Sequence, residues 1–502
     1  MDLRGRASER LASEQFDLLV IGGGIVGAGI AEAAARHGLA VALVDRADFG
    51  GGTSSASSKL IHGGLRYLRL GDVRLVREAH TERRVLMNVV APHLVRRIPF
   101  LLPLYRGGPY RPATVQAGIW LYSTLARERL GGFVSPGRAR RSVPDLRVDG
   151  LRGCGVYSDA WTHDARLCLA NVRGAAEAGA AVLNYAAVEA LRVERGRVTG
   201  AEVAGVGPVR ARTVVNASGP WVDAVRRLED PRAAPSVRLS KGVHALVDLA
   251  RPWSAALTIP RDAVRVTFAV PWEGMLLLGT TDTLYDGDPG AVAVTERDVA
   301  QVLAEAETAV EGVRPENVRA TFAGLRVLPG GADETASARR ETVRSIGRAG
   351  MLTIAGGKLT TYRRIALDTL EELRPQLGLH RLDRRPQPLP GARRVPPSRL
   401  LAGLDAPVRS HLLHLYGSHA NEVVADAGGD DGQLRPLHPR APEIAAQVAY
   451  AYRREWAVTA EDVLRRRTTL ALRGVELSDV QNDGLLFGEG VEGVAAADAA
   501  GP

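Results

Sequence analysis

Lysine is nearly absent from this 502-residue chain: of its 65 lysines and arginines only Lys59, Lys241 and Lys358 are lysine. Arginine is a planar fork that stays charged, whereas lysine is a compact point charge on a flexible stem. Each lysine sits in a glycine- or serine-rich segment, SSASSKLIHGG, SKGVH or GGKLTTY, so ammonium geometry is expected to matter there. Cysteine is almost as scarce. Cys154 and Cys168 form neither a metal-ligand spacing nor a disulfide framework, so no metal and a reducing, cytoplasmic setting are expected. No stretch reaches the ~18–20 unbroken apolar residues that span a bilayer. The apolar run AGIWLYSTL at 117–125 is too short, so any membrane contact is expected to be peripheral. The opening MDLRGRASERLASEQ has no apolar signal-peptide core.

What is present is globular: 45% hydrophobic, 24% charged, with a length that suggests two to four folded units. The net charge is +9, but the arginines are spread and no zinc-finger or RNA-recognition signature appears, so no nucleic acid is expected. The charge would instead help capture anionic ligands or an anionic lipid surface.

Short apolar runs predict strands over 16–21 and 39–44, the second ending at Asp45, with a helix over 25–37 between them stopped by Gly38. Residues 72–100 read as helical, broken by Pro92 and Pro99. A helix is expected over 164–179 with Asp164 as N-cap, then strands over 187–193 and 197–203 turned at Gly196, and a strand over 212–215 running into NASGPW. Residues 236–282 read as a mixed or antiparallel sheet, and 351–355 as a strand before a helix carrying Leu359, Tyr362, Ala366, Leu370 and Leu373. The proline- and arginine-rich stretch 383–398 reads as a linker, followed by an all-helical region over 399–475 with a polar glycine break at 426–433.

Between the first strand and helix lies Gly22-x-Gly24-x-x-Gly27, with Asp45 at the next strand end. Such glycines permit a tight turn and close approach of a pyrophosphate to a helix N-terminus, and the acid accepts from a ribose hydroxyl. Residues 53–68, TSSASSKLIHGGLRYL, pack hydroxyl and backbone donors beside Leu60, Ile61, Leu65 and Tyr67, as a flavin and its phosphates require. Gly63 and Gly64 would let backbone lie against a flat ring. Phosphate monoesters carry nearly two charges and call for converging cations. Arg326 stands out because its segment, AGLRVLP, is otherwise apolar.

GGGIVGAGIA, TSSASSKLIHGGLRYL, DARL, NASGPWV, KGVH, GTTD, AGLRVLP and GGKLTTYRR follow in this order. The ordered set, over about residues 16–375, resembles the FAD-dependent glycerol-3-phosphate dehydrogenases of bacteria and mitochondria; the helical C-terminal region is similar as well. One departure is FGGG at 49–52, where some relatives carry a cysteine. The resemblance implies an α/β fold with a Rossmann-like FAD-binding domain (15–75, 152–225 and 335–385), a mixed or antiparallel-sheet substrate domain (76–151 and 226–334) and an all-helical C-terminal domain (395–490). It implies that Gly22, Gly24, Gly27 and Asp45 hold the ADP half of FAD, with Val188 near the adenine and Ala217, Ser218 and Gly219 near the ADP portion. Thr53, Ser54, Ser57, Ser58, Lys59, His62, Gly63 and Gly64 would surround pyrophosphate and flavin. Gly357, Lys358, Leu359 and Thr360 would set a helix start at the flavin pyrimidine, where positive partial charge favours the anionic reduced ring.

Arg66, Tyr67, His244, Arg326, Arg340 and Lys358 would bind glycerol 3-phosphate, with His244, Arg326 and Lys358 serving catalysis. His244 is the candidate general base for the C2 alcohol; a basic surrounding that lowers the alcohol pKa with no single base is the alternative. Electrons would pass to a membrane quinone, in a homodimer attached peripherally to the inner face of the cell membrane. Three other readings stay open: an oxidase that uses oxygen, an amine or 2-hydroxy-acid oxidoreductase without the phosphate-binding cations, and a basic binding protein holding FAD structurally.

Overall fold

The computed structural model describes residues 3–65, 68, 71–128, 131–262, 265–330 and 342–480. The chain divides into two compact units, Met1–Arg393 and Arg394–Pro502. The first contains two large sheets.

In the first sheet the strands Leu352–Gly356, Gly207–Asn216, Gln15–Ile21, Val41–Val44 and Ala181–Leu183 run parallel in that spatial order. Short apolar runs buried on both faces form such strands because helices cover them. Here Ile25–Arg36 packs against both Asp164–Glu177 and Tyr362–Glu372. The hairpin Val188–Glu194/Arg197–Val203 adds antiparallel to Gly207–Asn216, and Thr342–Ile346 lies antiparallel to Leu352–Gly356 at the edge away from Ala181–Leu183.

The second sheet is antiparallel except where Ala256–Pro260 runs parallel to Val95–Tyr105. At one edge Val318–Pro329 pairs with Val237–Asp248, in a register that sets His244 opposite Phe322 and Ser240 opposite Arg326. On the other side His244 faces Gly279. The helix Glu296–Glu307 packs on this sheet. It begins in a Thr295–Asp298 capping box, and Lys241 pairs with Asp298 at 2.7 Å.

Three local expectations are corrected. The helical stretch over 72–100 ends early: Val73–Val85 is helix and Leu86–Val90 a wider turn, but Val95–Tyr105 is a strand paired along its length with Leu151–Thr162. Pro99 and Pro103 are tolerated within it because burial of Phe100, Leu101, Leu102 and Leu104 outweighs their breaker tendency. By this pairing Leu151–Thr162 belongs to the second sheet, so the division expected at 151/152 falls at the start of a strand of that sheet. Asp164 is the first residue of its helix, His163 being the cap.

The second unit is helical around a core that includes Leu412, Leu415, Tyr416, Val423 and Tyr450. An all-helical reading missed one hairpin, Pro436–His438/Ala441–Ile444, directly after the glycine break. Part of the expected linker is fastened down: Leu389 is buried and its amide donates to Val90 O at 2.9 Å.

Candidate active site

The glycine turn after Gln15–Ile21 has no room for side chains. Gly22 adopts φ +107°, and a Cβ there would lie 2.6 Å from Ala217 O. A Cβ on Gly27 would collide with Gly22 O. Gly24 caps the helix Ile25–Arg36 without a side chain, and Ile25 N donates to Ser54 Oγ at 2.9 Å. The first helical turn and Ser54 therefore meet at a bare backbone cradle, the arrangement an anionic pyrophosphate requires. Ala217 follows from the neighbouring strand, its amide bonded to Ile21 O at 2.8 Å, and Asn216 Oδ1 accepts from the Ser218 amide and hydroxyl at 3.2 and 2.6 Å. Gly219 follows with φ +57°. Asp45 accepts from Gly23 N and Ala47 N at 2.6 and 2.9 Å, and desolvation pushes its carboxyl up to about 6. Val188 opens its strand two residues after Ala186, whose amide bonds Asp45 O at 2.7 Å. The ADP-half candidates Gly22, Asp45 and Ala217 thus gather just past the C-terminal ends of neighbouring parallel strands.

The loop 53–64 leaves these strand ends and crosses to the second sheet. Thr53 Oγ1 donates to Leu325 O at 2.6 Å, and Leu60–Ile61 pairs with Ala160–Trp161. Its tip meets the GGKLT segment: His62 N donates to Thr360 Oγ1 at 3.2 Å. Gly357 has φ +107° and Lys358 caps the turn Leu359–Thr361, which leads into Tyr362–Glu372. The two flavin segments, about 300 residues apart in sequence, are therefore joined. The donor set and Cβ-free surfaces fit a dinucleotide and a flat ring.

Lys59 lies differently from the expectation. Its ammonium is buried, 2.7 Å from Asp164 Oδ1, so its charge is matched inside the protein. Lys241 likewise serves the Thr295–Asp298 cap.

Two of the three catalytic candidates, His244 and Arg326, lie on the second sheet, whereas Lys358 follows the first-sheet strand Leu352–Gly356. His244 is buried, stacks on Phe322 at 4.9 Å, and shares a 2.9 Å hydrogen bond between Nε2 and Ser58 Oγ. A Cβ at Gly279 would collide with its ring. Burial first, then Arg326 and Lys59, hold its pKa well below the usual imidazole value, so the ring is neutral at neutral pH. Arg326 donates to Thr280 Oγ1 at 2.9 Å and Thr281 O at 3.1 Å, with Asp282 at 3.6 Å. Arg66, Tyr67 and Arg340 lie outside the described residues.

Sequence reasoning missed the support beneath Gly63. Asp159 accepts from Gly63 N at 3.0 Å and from Tyr122 Oη at 2.9 Å, and pairs with Arg83, which also pairs with Glu128. His80 packs edge-on to Tyr122 at 4.2 Å and fills the space a Gly63 Cβ would take. The available signal was an acid within an apolar strand, Tyr157-Ser158-Asp159-Ala160-Trp161.

Residues 17–363 match the family described as FAD dependent oxidoreductase, and residues 351–480 match the C-terminal domain of alpha-glycerophosphate oxidase. Glycerol-3-phosphate dehydrogenase 2 of Mycobacterium tuberculosis is 37% identical over 94% of this chain and 85% of its own length. The aerobic glycerol-3-phosphate dehydrogenase of Staphylococcus haemolyticus is 32% identical over 92% and 88%. The solved glycerol-3-phosphate dehydrogenase from Bacillus halodurans, complexed with FAD, aligns with a TM-score of 0.75 and 30% identity over 94% of this chain and 90% of that one.

Proposed function

We propose, for a chain that belongs to the FAD-dependent glycerol-3-phosphate dehydrogenases, that Arg326 and His244 are the working pair in oxidation of sn-glycerol 3-phosphate to dihydroxyacetone phosphate. Bound FAD supplies the hydride acceptor. The cradle of Gly22, Gly24, Gly27, Asp45, Ser54, Ala217 and Ser218 would hold its ADP half, and Gly63, Gly64 and the Gly357–Thr360 turn would lie at the ring.

The observation that carries the reading is the register of the second sheet, which sets a half-buried guanidinium four residue pairs along the ladder from a neutral imidazole. Arg326 binds the phosphate dianion with a fork oriented by Thr280 and Thr281. His244, neutral and joined to Ser58, accepts the C2 hydroxyl proton; an imidazolium there could not. Lys358, at a helix start, adds positive charge where negative charge develops. Anaerobic addition of glycerol 3-phosphate to the holoenzyme should bleach the flavin band promptly, and an untouched band would discard the substrate. Arg326→Ala should lose about 2–5 kcal/mol of transition-state binding, roughly thirtyfold to several thousandfold in kcat/KM, with FAD retained.

The same reading sends the electrons to a membrane quinone from a peripherally attached enzyme. Among the described residues no helix is long and apolar enough to cross a membrane. The helix Pro112–Ala126 carries no charged residue, and Ala113, Ala117, Trp120, Leu121 and Thr124 share its exposed face. Trp120 is 52% exposed, nearby Phe133 is 41% exposed, and exposed Arg111 and Arg127 bracket the helix. An apolar face with an interfacial tryptophan and flanking cations suits an anionic lipid surface. Turnover with a soluble quinone analogue, against peroxide yield under air, separates the quinone from oxygen.

A further inference from the structure

The serine loop contains a buried ion pair that a cofactor-binding role leaves unexplained. Asp164 opens the helix Asp164–Glu177 and reaches back to the loop, where Oδ1 accepts from Lys59 Nζ at 2.7 Å and Oδ2 accepts from Ser57 N and Oγ at 3.1 and 2.7 Å. Lys59 Nζ also donates to Ser55 O at 3.3 Å and lies 5.2 Å from the ring centroids of both Trp272 and Phe322. Both side chains of the pair are 2% exposed. Lys59 has φ +55°, a left-handed backbone that a non-glycine residue adopts only when its surroundings hold it there.

A pair this deep is a weak stabiliser, because desolvating the two charges opposes their attraction. Its neighbours suggest another purpose. Phe322, beside the ammonium, stacks on His244 at 4.9 Å with an interplanar angle of 18°. Ser58, the residue before Lys59, bonds His244 Nε2 at 2.9 Å. Lys59 thus borders both groups that hold the imidazole.

We propose that Lys59 is a positioning residue for His244: tied to Asp164, it fixes the Phe322 ring that stacks on the imidazole and the Ser58 hydroxyl that bonds it. The inference rests on the reading of His244 as proton acceptor. The charged groups near the imidazole are Arg326, beside Asp282, and Lys59, beside Asp164.

The test compares holoenzyme of the wild type, the double variant Lys59→Met with Asp164→Asn, His244→Gln, and all three changes together. The double variant keeps the space filled and leaves no lone buried charge. It should retain FAD and an unchanged visible band. Its anaerobic flavin reduction should slow on the order of tenfold to a hundredfold, with half-saturation by glycerol 3-phosphate within about twofold of wild type. Added to His244→Gln, the two changes should cost less than about threefold more, because groups acting through one residue are not additive. Full additivity, a shifted flavin band or lost FAD would show that the pair serves the cofactor loop instead, and would overturn the proposal. A His244→Gln enzyme of near-normal rate would sink the proton-acceptor reading and the proposal with it. A slow His244→Gln beside a normal double variant would sink the positioning role alone. If the double variant does not fold, Phe322→Leu leaves the ion pair in place and must show the same slowing and the same non-additivity with His244→Gln; an additive loss overturns the proposal.

Discussion

His80 predicts a measurable acid weakness. It sits on the helix Val73–Val85, 1% exposed, and neither ring nitrogen has a hydrogen-bond partner among the described residues. Burial first, then Arg83, Arg84 and His62, drive its pKa from 6.5 down to about 3. The unfolded chain takes up the proton near 6.5 while the folded protein refuses it. A depressed folded pKa means that stability is fully present above pH 6.5 and is lost as pH falls toward 3. Each pH unit in that window costs about 1.4 kcal/mol, so His80 accounts for about 2 kcal/mol at pH 5. His80→Phe fills the same slot against Tyr122 and Gly63 with nothing to protonate. Denaturant unfolding followed by tryptophan fluorescence at pH 7.5, 6 and 5 should give a slope against pH shallower by about one proton in the variant. His244 contributes equally to both proteins and drops out of the difference. Equal slopes would refute the claim that native His80 stays neutral.

Gly27→Ala should purify with little FAD, read as flavin absorbance per polypeptide, because its Cβ collides with Gly22 O in the cradle. Asp159→Leu should destabilise by about 1–3 kcal/mol and lower FAD affinity, since it leaves the Gly63 amide without its acceptor and Arg83 with Glu128 as its remaining carboxylate; thermal midpoint and FAD titration check both. Thr295→Ala removes the cap of Glu296–Glu307 and should cost about 1 kcal/mol without changing the flavin spectrum. Trp120→Ser with Leu121→Ser should weaken sedimentation with anionic vesicles on the order of tenfold while leaving anaerobic flavin reduction intact; unchanged sedimentation would remove this helix from the membrane reading.

The nucleotide cradle was legible because its requirements are local. A strand, a side-chain-free turn and a helix start lie within one short segment, and Asp45 follows at the next strand end. The strand Val95–Tyr105 was not legible. Its arginines and prolines read as a broken helix, and its partner Leu151–Thr162 lies some fifty residues on. Lys59 could be singled out by rarity, but not the direction of its ammonium, because Asp164 arrives 105 residues later. The Asp159, Arg83, Tyr122 and His80 group was invisible for the same reason: Tyr122 and Asp159 come from segments far along the chain from the helix that carries His80 and Arg83.

The sequence by itself determined the elements whose cause is short-range, namely the glycine turn, the short apolar runs that form the parallel strands, and the hydroxyl-rich loop. Tertiary structure alone decided what those residues face. Strand register set His244 against Phe322 and Gly279 and placed Arg326 four residue pairs along the ladder. Burial then pushed the His244 pKa down and the Asp159 pKa up, and Lys59 met Asp164 only where distant segments exclude water around them.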